Sequence, residues 1–207
     1  MKIDLHCHTR HSFDSDMAPE ALIEQSICMG LDGICITEHF SVEASRPVED
    51  IPVPEGFLVF RGVEISTDMG HLLVYGIPDD SWNIWNGNLH LNARDIIKQI
   101  HRLGGICAPS HPFRGLESFG AMVLDMDGFD AVETHNGCNT IEMNLQAMTC
   151  ARIRRLPSIG GSDCHRKEQA GRAYTVFSNP VKTISDLISE ILKGNCRGED
   201  IRDSCRG

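Results

Sequence analysis

Short apolar segments that run into histidine or acidic residues recur along the chain and constrain its fold more than any other feature. Between them, apolar residues repeat at helical spacing. In barrels that alternate strands and helices, the loops after the strands build the active site. The strand count is about seven and fewer helices are clear, so we predict an α/β fold of the distorted (β/α)7, TIM-like type. The predicted strands cover residues 2–8, 33–37, 62–66, 71–76, 106–108, 130–133 and 173–177.

Length and composition limit the class of protein. A chain of 207 residues suffices for one well-buried core, so we predict a single domain over residues 1–207 with a loosely ordered tail from about residue 194. No apolar run is long enough to span a bilayer. Nine cysteines without a C-x-x-C pair fit a reducing compartment, and we expect a cytoplasmic protein. The net charge of −10 disfavours a broad nucleic-acid-binding face.

The first predicted strand carries a His-x-His pair. Side chains alternate along a strand, so His6 and His8 project from one face while Cys7 points away. Such a pair alone is weak evidence, because most His-x-His pairs are accidental or ordinary hydrogen-bonded residues. It gains meaning because six histidines and three carboxylates collect at the strand ends, and one cation takes about four to six ligands. We therefore predict two or three divalent metal ions that share a bridging carboxylate, with these ligands: His6, His8, Asp14, His39, Glu64, His71, His111, Asp163 and His165.

Six short motifs together resemble the PHP family, the polymerase and histidinol phosphatase domain. They occur in the order of that family and extend from Lys2 to about Phe177. The resemblance implies a seven-stranded distorted barrel, a trinuclear centre of zinc, manganese or iron, and metal-dependent hydrolysis of phosphoesters. The motifs are Asp-Leu-His-Cys-His-Thr, Ile-Thr-Glu-His, Gly-Val-Glu-Ile-Ser, Gly-His-Leu-Leu, His-Pro-Phe-Arg and Gly-Ser-Asp-Cys-His.

The same resemblance divides the ligands among three metal ions. One departure from the family pattern is Glu38, where many members have aspartate before the histidine, and we expect Glu38 to support ligands and not to bind metal itself. The implied groups are His6, His8, Asp163 and the bridging Glu64 for one ion, Glu64, His71 and His111 for the second, and Asp14, His39 and His165 for the third.

Two arginines are candidates for substrate binding. A guanidinium can hold phosphate oxygens at two points, and Arg114 directly follows His111-Pro112-Phe113. Arg172 is a second candidate, and for both residues an exposed salt bridge is the alternative. Residues Glu133 and Asn136 can either reach the metals or substrate, or support the site and its turn. Other residues are expected to be structural: His11, His90, His101, His135, Trp82 and Trp85.

The functional prediction is a cytoplasmic metal-dependent phosphoesterase. We expect it to hydrolyse a small phosphomonoester or a nucleotide with water activated at a di- or trinuclear centre. Its partner would be a small phosphorylated molecule, with no membrane and no extended nucleic acid. The alternatives are a 5′–3′ exonuclease or oligonucleotidase of the same family, an amidohydrolase, and a non-catalytic module stabilised by metal. The complete donor set favours catalysis over the module.

Overall fold

The computed structural model of the protein describes residues 1–84 and 90–202. Trp85 and residues 203–207 lie outside this part of the chain, whereas Trp82 is fully buried in the core. The strands are β1 (Lys2–Cys7), β2 (Gly33–Ile36), β3 (Leu58–Ser66), β4 (His71–Tyr75), β5 (Ile106–Pro109), β6 (Val132–Asn136), β7 (Ser158–Gly161), β8 (Ala173–Phe177) and β9 (Cys196–Asp200).

The strands form an α/β fold with a curled half-barrel sheet. Seven strands follow the order β5-β4-β3-β2-β1-β8-β9, and β6 pairs separately with β7. The sheet is mixed: β1, β2 and β3 are parallel, whereas β4 is antiparallel to both β3 and β5. Residues 67–70 join β3 to β4 and are too few for the crossover of a dozen or more residues that a parallel pair requires. A full (β/α)7 barrel is therefore not confirmed.

Four α-helices in the described part of the chain pack against the strands. Their starts follow the sequence signals: Pro19 occupies the first turn of the first helix, and the side chain of Asn92 caps the second by accepting from the Asp95 N–H. Thr183 and Asp186 form a capping box at the start of the fourth helix. None of the described helices is long and apolar enough to cross a membrane. The helices are α1 (Pro19–Cys28), α2 (Ala93–Arg102), α3 (Ile141–Arg154) and α4 (Ile184–Leu192).

The final strand corrects the prediction of a loosely ordered tail. Residues Cys196–Asp200 form β9, which pairs along its whole length with β8. The sequence there is polar because β9 lies at the edge of the sheet and lacks the apolar alternation of an inner strand. Asp200 is nevertheless buried and pairs with Arg202. The tail prediction is wrong for these five residues.

The C-terminal end of β1 meets the segment that follows β7. The Asp163 N–H donates to the His6 carbonyl at 2.7 Å, and the His8 N–H donates to the Cys164 carbonyl at 3.0 Å. These bonds bring residues from the two ends of the chain side by side. They place the second predicted ligand pair, Asp163 and His165, next to the first, His6 and His8.

Gly161 permits this close approach, and its replacement is expected to disturb the fold. A Cβ at Gly161 would lie 2.4 Å from the His6 Cβ and 2.6 Å from the His6 main-chain nitrogen. Because β1 is a central strand, Gly161→Ala should reduce the free energy of unfolding by about 1–3 kcal/mol. Thermal denaturation should show a Tm lower by roughly 2–12 °C. An unchanged Tm would show that β1 and β7 separate more easily than this packing implies.

Candidate metal centre

All nine predicted ligands lie in one cluster, at the C-terminal ends of the other strands and at the N-terminal end of the antiparallel strand β4. The end of β1 supplies His6 and His8, and β3 supplies Glu64 at a point where His39, just beyond β2, pairs with it in parallel register. The remaining ligands come from β4, from the turn after β5, from the loop after β1 and from the loop after β7: His71, His111, Asp14, Asp163 and His165.

The first group consists of His6, His8, Glu64 and Asp163, all buried. The two Nε2 atoms lie 3.0 Å apart. Each of them lies 3.3 Å from Glu64 Oε2, and their distances to Asp163 Oδ1 are 3.2 and 3.4 Å. The centre of a tetrahedron with such edges is about 2 Å from each corner, the usual bond length between zinc and nitrogen or oxygen. These four atoms therefore fit one divalent cation.

The second group shares Glu64 with the first. Glu64 Oε1 lies 3.3 Å from His71 Nδ1 and 3.1 Å from His111 Nε2, and it accepts a hydrogen bond from Ser110 Oγ at 2.7 Å. The other oxygen, Oε2, faces His6 and His8. One carboxylate thus presents one oxygen to each of two ligand groups, which is the arrangement expected of a bridging ligand.

The third group is the most exposed of the three. Asp14 Oδ2 lies 3.1 Å from His39 Nε2 and 3.1 Å from His165 Nε2. The rings of His39 and His165 both stack on His8, at centroid distances of 4.4 and 4.3 Å. Burial and the neighbouring His8 lower the pKa of His39 to about 4, so its ring is neutral and can donate a lone pair.

Two ring nitrogens of the cluster are buried without a hydrogen-bond partner. They are Nδ1 of His39 and Nδ1 of His71, and each lies 3.3 Å from an oxygen of Glu64. A buried polar atom without a partner costs free energy, so such atoms are uncommon. A cation at Glu64 Oε1 would satisfy Nδ1 of His71, and a cation at Oε2 would satisfy Nδ1 of His39. Nitrogen and carboxylate donors in this mixture suit zinc, manganese and iron.

Comparison with known proteins identifies the family. The chain matches the PHP domain over residues 4–146 and a PHP-associated region over residues 142–196. The first match alone covers more than half of the chain, and it contains seven of the nine ligands of the cluster. This chain belongs to the PHP family. The resemblance read from the six motifs is confirmed.

Individual relatives agree with this family. A probable histidinol-phosphatase of Thermotoga maritima is 35% identical over 72 residues, which is 32% of this chain and 31% of that protein. A two-domain protein of Bacteroides vulgatus, described as containing a predicted PHP-like metal-dependent phosphoesterase, has a TM-score of 0.72 at 18% identity. The alignment covers 97% of this chain and 64% of that one.

A third relative is a lesion-specific endonuclease from Pyrococcus furiosus, with a TM-score of 0.71 at 17% identity. The alignment covers 95% of this chain and 57% of the endonuclease. Another solved structure similar to this chain is that of endonuclease Q, in complex with a duplex substrate that has an abasic lesion at the active site. At this identity the likeness shows the shared fold alone, and this chain spans little more than half of the endonuclease.

A layer of buried polar residues orients the ligands of this PHP site. Glu133 accepts from His6 Nδ1 at 2.8 Å and from the main-chain N–H of His111 at 2.6 Å. With its proton on Nδ1, His6 directs the lone pair of Nε2 into the cluster. Two roles were left open for Glu133, and this geometry favours the second, in which Glu133 supports the ligands. The only signal in the sequence was its position at the end of the predicted strand 130–133; in the structure it lies near the start of β6.

A second support acts on His8. Ser12 Oγ donates to Glu38 and lies 3.3 Å from His8 Nδ1, so the Ser12 oxygen accepts the proton of His8. The carboxylate of Glu38 also accepts from Thr9, so both of its oxygens accept hydrogen bonds from described residues. Glu38 thus supports His8 through Ser12, as expected from its position before His39. Sequence alone did not indicate Ser12 or Thr9.

The charges of the first group are strongly coupled. Burial opposes the charged form of His6, yet the carboxylates of Asp163, Glu64 and Glu133 raise its pKa well above the ordinary value. Against burial, Asp163 and Glu64 also raise the pKa of His8 to about 9. The pKa values of both carboxylates lie well below their ordinary range. In the metal-free protein, protons on His6 and His8 therefore balance the negative charge of the carboxylates. Metal binding must release these protons.

Backbone strain is concentrated at the cluster. His111 and Asp163 have φ angles of +30° and +54°, a region that residues other than glycine rarely adopt. Each is held there by its main-chain N–H, which donates to Glu133 in one case and to the His6 carbonyl in the other. Such conformations persist where surrounding structure fixes them, and they cluster at functional sites.

The two candidate arginines differ in position. The side chain of Arg114 is 31% exposed, and its Nη1 lies 2.6 Å from Asp163 Oδ2. Its Nη2 donates to Asn136 Oδ1 at 2.7 Å and its Nε to Asn139 Oδ1 at 2.9 Å. Arg172 instead donates Nε to the Glu168 carbonyl, and no contact within the described residues joins it to the cluster.

Proposed function

We propose that this PHP protein is a hydrolase of small phosphomonoesters or nucleotides. Metal-dependent phosphoester hydrolysis is the chemistry of the family to which the chain belongs. The observation that supports it most is the position of Glu64, whose two oxygens face two separate groups of histidines. Paired metal ions a few ångströms apart are typical of enzymes that transfer or hydrolyse phosphoryl groups.

Three groups of residues would hold two or three divalent ions. Bound there, zinc, manganese or iron ions would polarise the phosphoryl group and lower the pKa of water, so that hydrolysis proceeds near neutral pH. The groups are His6, His8, Glu64 and Asp163, then Glu64, His71 and His111, and finally Asp14, His39 and His165.

The burial of the ligands gives the direction of substrate approach. The side chain of Glu64 is almost fully buried, whereas those of Asp14 and His165 are partly exposed. A phosphate group therefore reaches the cluster across the third group, and solvent is excluded from behind Glu64. Glu133, in the buried layer, keeps the ring of His6 aligned.

Arg114 would hold the phosphate oxygens that do not react. Its guanidinium has five N–H donors, and Asp163, Asn136 and Asn139 occupy three of them. Two donors remain for an anion. Because the three partners fix the plane of the guanidinium, little side-chain entropy is lost when it binds phosphate.

The second candidate function is hydrolysis of a nucleic-acid phosphodiester. It is favoured by the likeness in fold to endonuclease Q, one structure of which holds a DNA duplex. The net charge of −10 favours the smaller substrate, because a DNA-binding surface is normally basic. A short oligonucleotide would need no such surface.

Release of inorganic phosphate tests the proposal. The protein would be loaded with zinc, manganese or iron and assayed against histidinol phosphate, nucleoside monophosphates, short oligonucleotides and a duplex with an abasic site. We expect phosphate release from at least one monoester and none from metal-stripped protein. Cleavage of the duplex alone would favour the second candidate. Inactivity on every substrate with every metal would contradict both.

Arg114→Ala is expected to weaken the binding of phosphate without removing metal. Loss of hydrogen bonds to a charged group costs about 1.5–3 kcal/mol, so kcat/KM should fall roughly 10- to 150-fold. Arg114→Lys should recover only part of this, because an ammonium cannot make the planar two-point contact. Metal content should remain unchanged, and inorganic phosphate should inhibit the alanine variant less strongly than the wild type.

Arg172→Ala provides the matched control for this prediction. Arg172 makes no contact with the cluster within the described residues, so its loss should leave kcat/KM and phosphate inhibition nearly unchanged. Equal effects of the two alanine variants, or unchanged phosphate inhibition in Arg114→Ala, would remove Arg114 from the substrate site.

A further inference from the structure

Two phenyl rings lie at the exposed edge of the cluster. Phe13 directly precedes Asp14 and is 81% exposed, and Phe40 directly follows His39 and is 47% exposed. The Phe13 ring lies 5.2 Å from the His39 ring and 6.4 Å from the Phe40 ring, measured between centroids. The planes of the two phenyl rings differ by 25°. Both rings are therefore neighbours of the third ligand group, where substrate approaches.

The conformation of Phe40 separates this pair from ordinary exposed side chains. A single exposed apolar residue needs no explanation. Phe40, however, has a φ of +63°, which is costly for a bulky residue and is readily adopted only by glycine. Its main-chain N–H is fixed by a hydrogen bond of 3.0 Å to the carbonyl of Glu64. An aromatic side chain thus occupies a strained position bonded to the main chain of the bridging ligand.

We propose that Phe13 and Phe40 form an aromatic platform that stacks a planar ring of the substrate. This inference rests on the proposed function and names its substrate class: phosphoesters whose alcohol carries an aromatic ring, with nucleoside monophosphates the simplest case. The metal groups and Arg114 hold the phosphate, and the platform holds the base. Every nucleobase offers a π-face to a phenyl ring, whereas a bare sugar does not.

Binding of two matched phosphonates tests the platform without requiring catalysis. The first is the phosphonate analogue of adenosine 5′-monophosphate, and the second is that of ribose 5-phosphate, which lacks the base. Their P–C bonds are not hydrolysed, so calorimetry on the metal-loaded protein gives Kd whether or not phosphoesters are turned over. We expect the adenosine analogue to bind about 5- to 150-fold more tightly, the range for stacking one base on an aromatic side chain.

Substitutions then locate the effect. Phe13→Ala should remove most of the preference for the adenosine analogue while leaving the Kd of the ribose analogue and the metal content unchanged. Phe13→Leu keeps an apolar side chain but lacks the π-face, so it should retain only a small part of the preference for the adenosine analogue. Ile153→Ala is the control, because Ile153 is 62% exposed on α3 and belongs to neither the platform nor the cluster.

Several outcomes would overturn the inference. Equal affinity of the wild type for the two phosphonates would do so. So would an equal loss of affinity for both phosphonates in Phe13→Ala. A change from dimer to monomer in Phe13→Ala, with the base preference retained, would assign the rings to contact between two copies of the chain. Failure of the proposed function looks different: metal-loaded protein would prefer the adenosine analogue yet release no phosphate from adenosine 5′-monophosphate.

Discussion

Glu64→Gln is expected to remove at least one equivalent of metal and to lower phosphoesterase turnover by about three orders of magnitude or more. Glutamine preserves the volume of Glu64, but its amide carries no charge and offers one oxygen where the carboxylate offers two. Because the two oxygens of Glu64 face different histidine groups, one metal position loses its oxygen ligand and both lose the negative charge. Metal ions contribute several kcal/mol to stabilisation of a phosphoryl transition state, which corresponds to about 10³-fold in rate.

Elemental analysis, turnover and circular dichroism together check this prediction. The matched control is Glu24→Gln, because Glu24 is 72% exposed and its nearest cation, the ammonium of Lys167, is 3.9 Å away. That variant should bind metal and turn over substrate like the wild type. If Glu64→Gln kept its metal content, or if both variants lost activity equally with intact circular dichroism, Glu64 would not be the bridging ligand.

Removal of metal is expected to lower the thermal stability of the whole domain. Without cations, the buried histidines and carboxylates of the first group must be neutralised by protons or left unpaired. Two ions, each at a free concentration about 100 times its Kd, would each add about 2.7 kcal/mol to the free energy of unfolding. Chelation should therefore lower Tm by roughly 10–20 °C. Activity should be lost at the same time and return when zinc, manganese or iron is added.

The pKa of His8 predicts how metal loss depends on pH. In the metal-free protein this pKa is about 9, so protons compete with metal increasingly as pH falls through that value. Dialysis against chelator should therefore strip metal more completely at acidic than at alkaline pH. Chelator saturated with zinc beforehand is the control. Less than one equivalent of metal in reconstituted protein, with no change in Tm, would contradict a multinuclear centre.

The residues of the cluster were predictable because local geometry determines which side chains lie at the strand ends. Alternation along a strand places His6 and His8 on one face, whatever the rest of the chain does. Their partners could be named because each directly follows an apolar segment, as His39 and His111 do. The helix starts at Pro19, Asn92 and Thr183 were predictable for the same reason, since a cap depends on only a few neighbouring residues.

Other features depend on segments that meet only in three dimensions. The sequence predicted the two strands now seen as β3 and β4 as a hairpin, and their antiparallel pairing confirms it. It gave no apolar pattern for the edge strand β9 and did not indicate that β6 and β7 pair apart from the main sheet. It offered Arg114 as the first candidate for substrate binding and Arg172 as the second. Packing of β5 and the segment after β7 brought only Arg114 to Asp163 within the described residues, although 49 positions separate the two in sequence.

The sequence by itself determined which residues supply nitrogen and oxygen donors and to which family the chain belongs, because short motifs carry both. Tertiary structure decided how the donors are shared: Glu64 faces two histidine groups, and Glu133 orients His6 from a distance of 127 residues along the chain. It also set Phe13 beside Phe40 at the edge of the cluster. Distances between strands depend on packing of the whole sheet, so the spacing of residues along the sequence does not predict them.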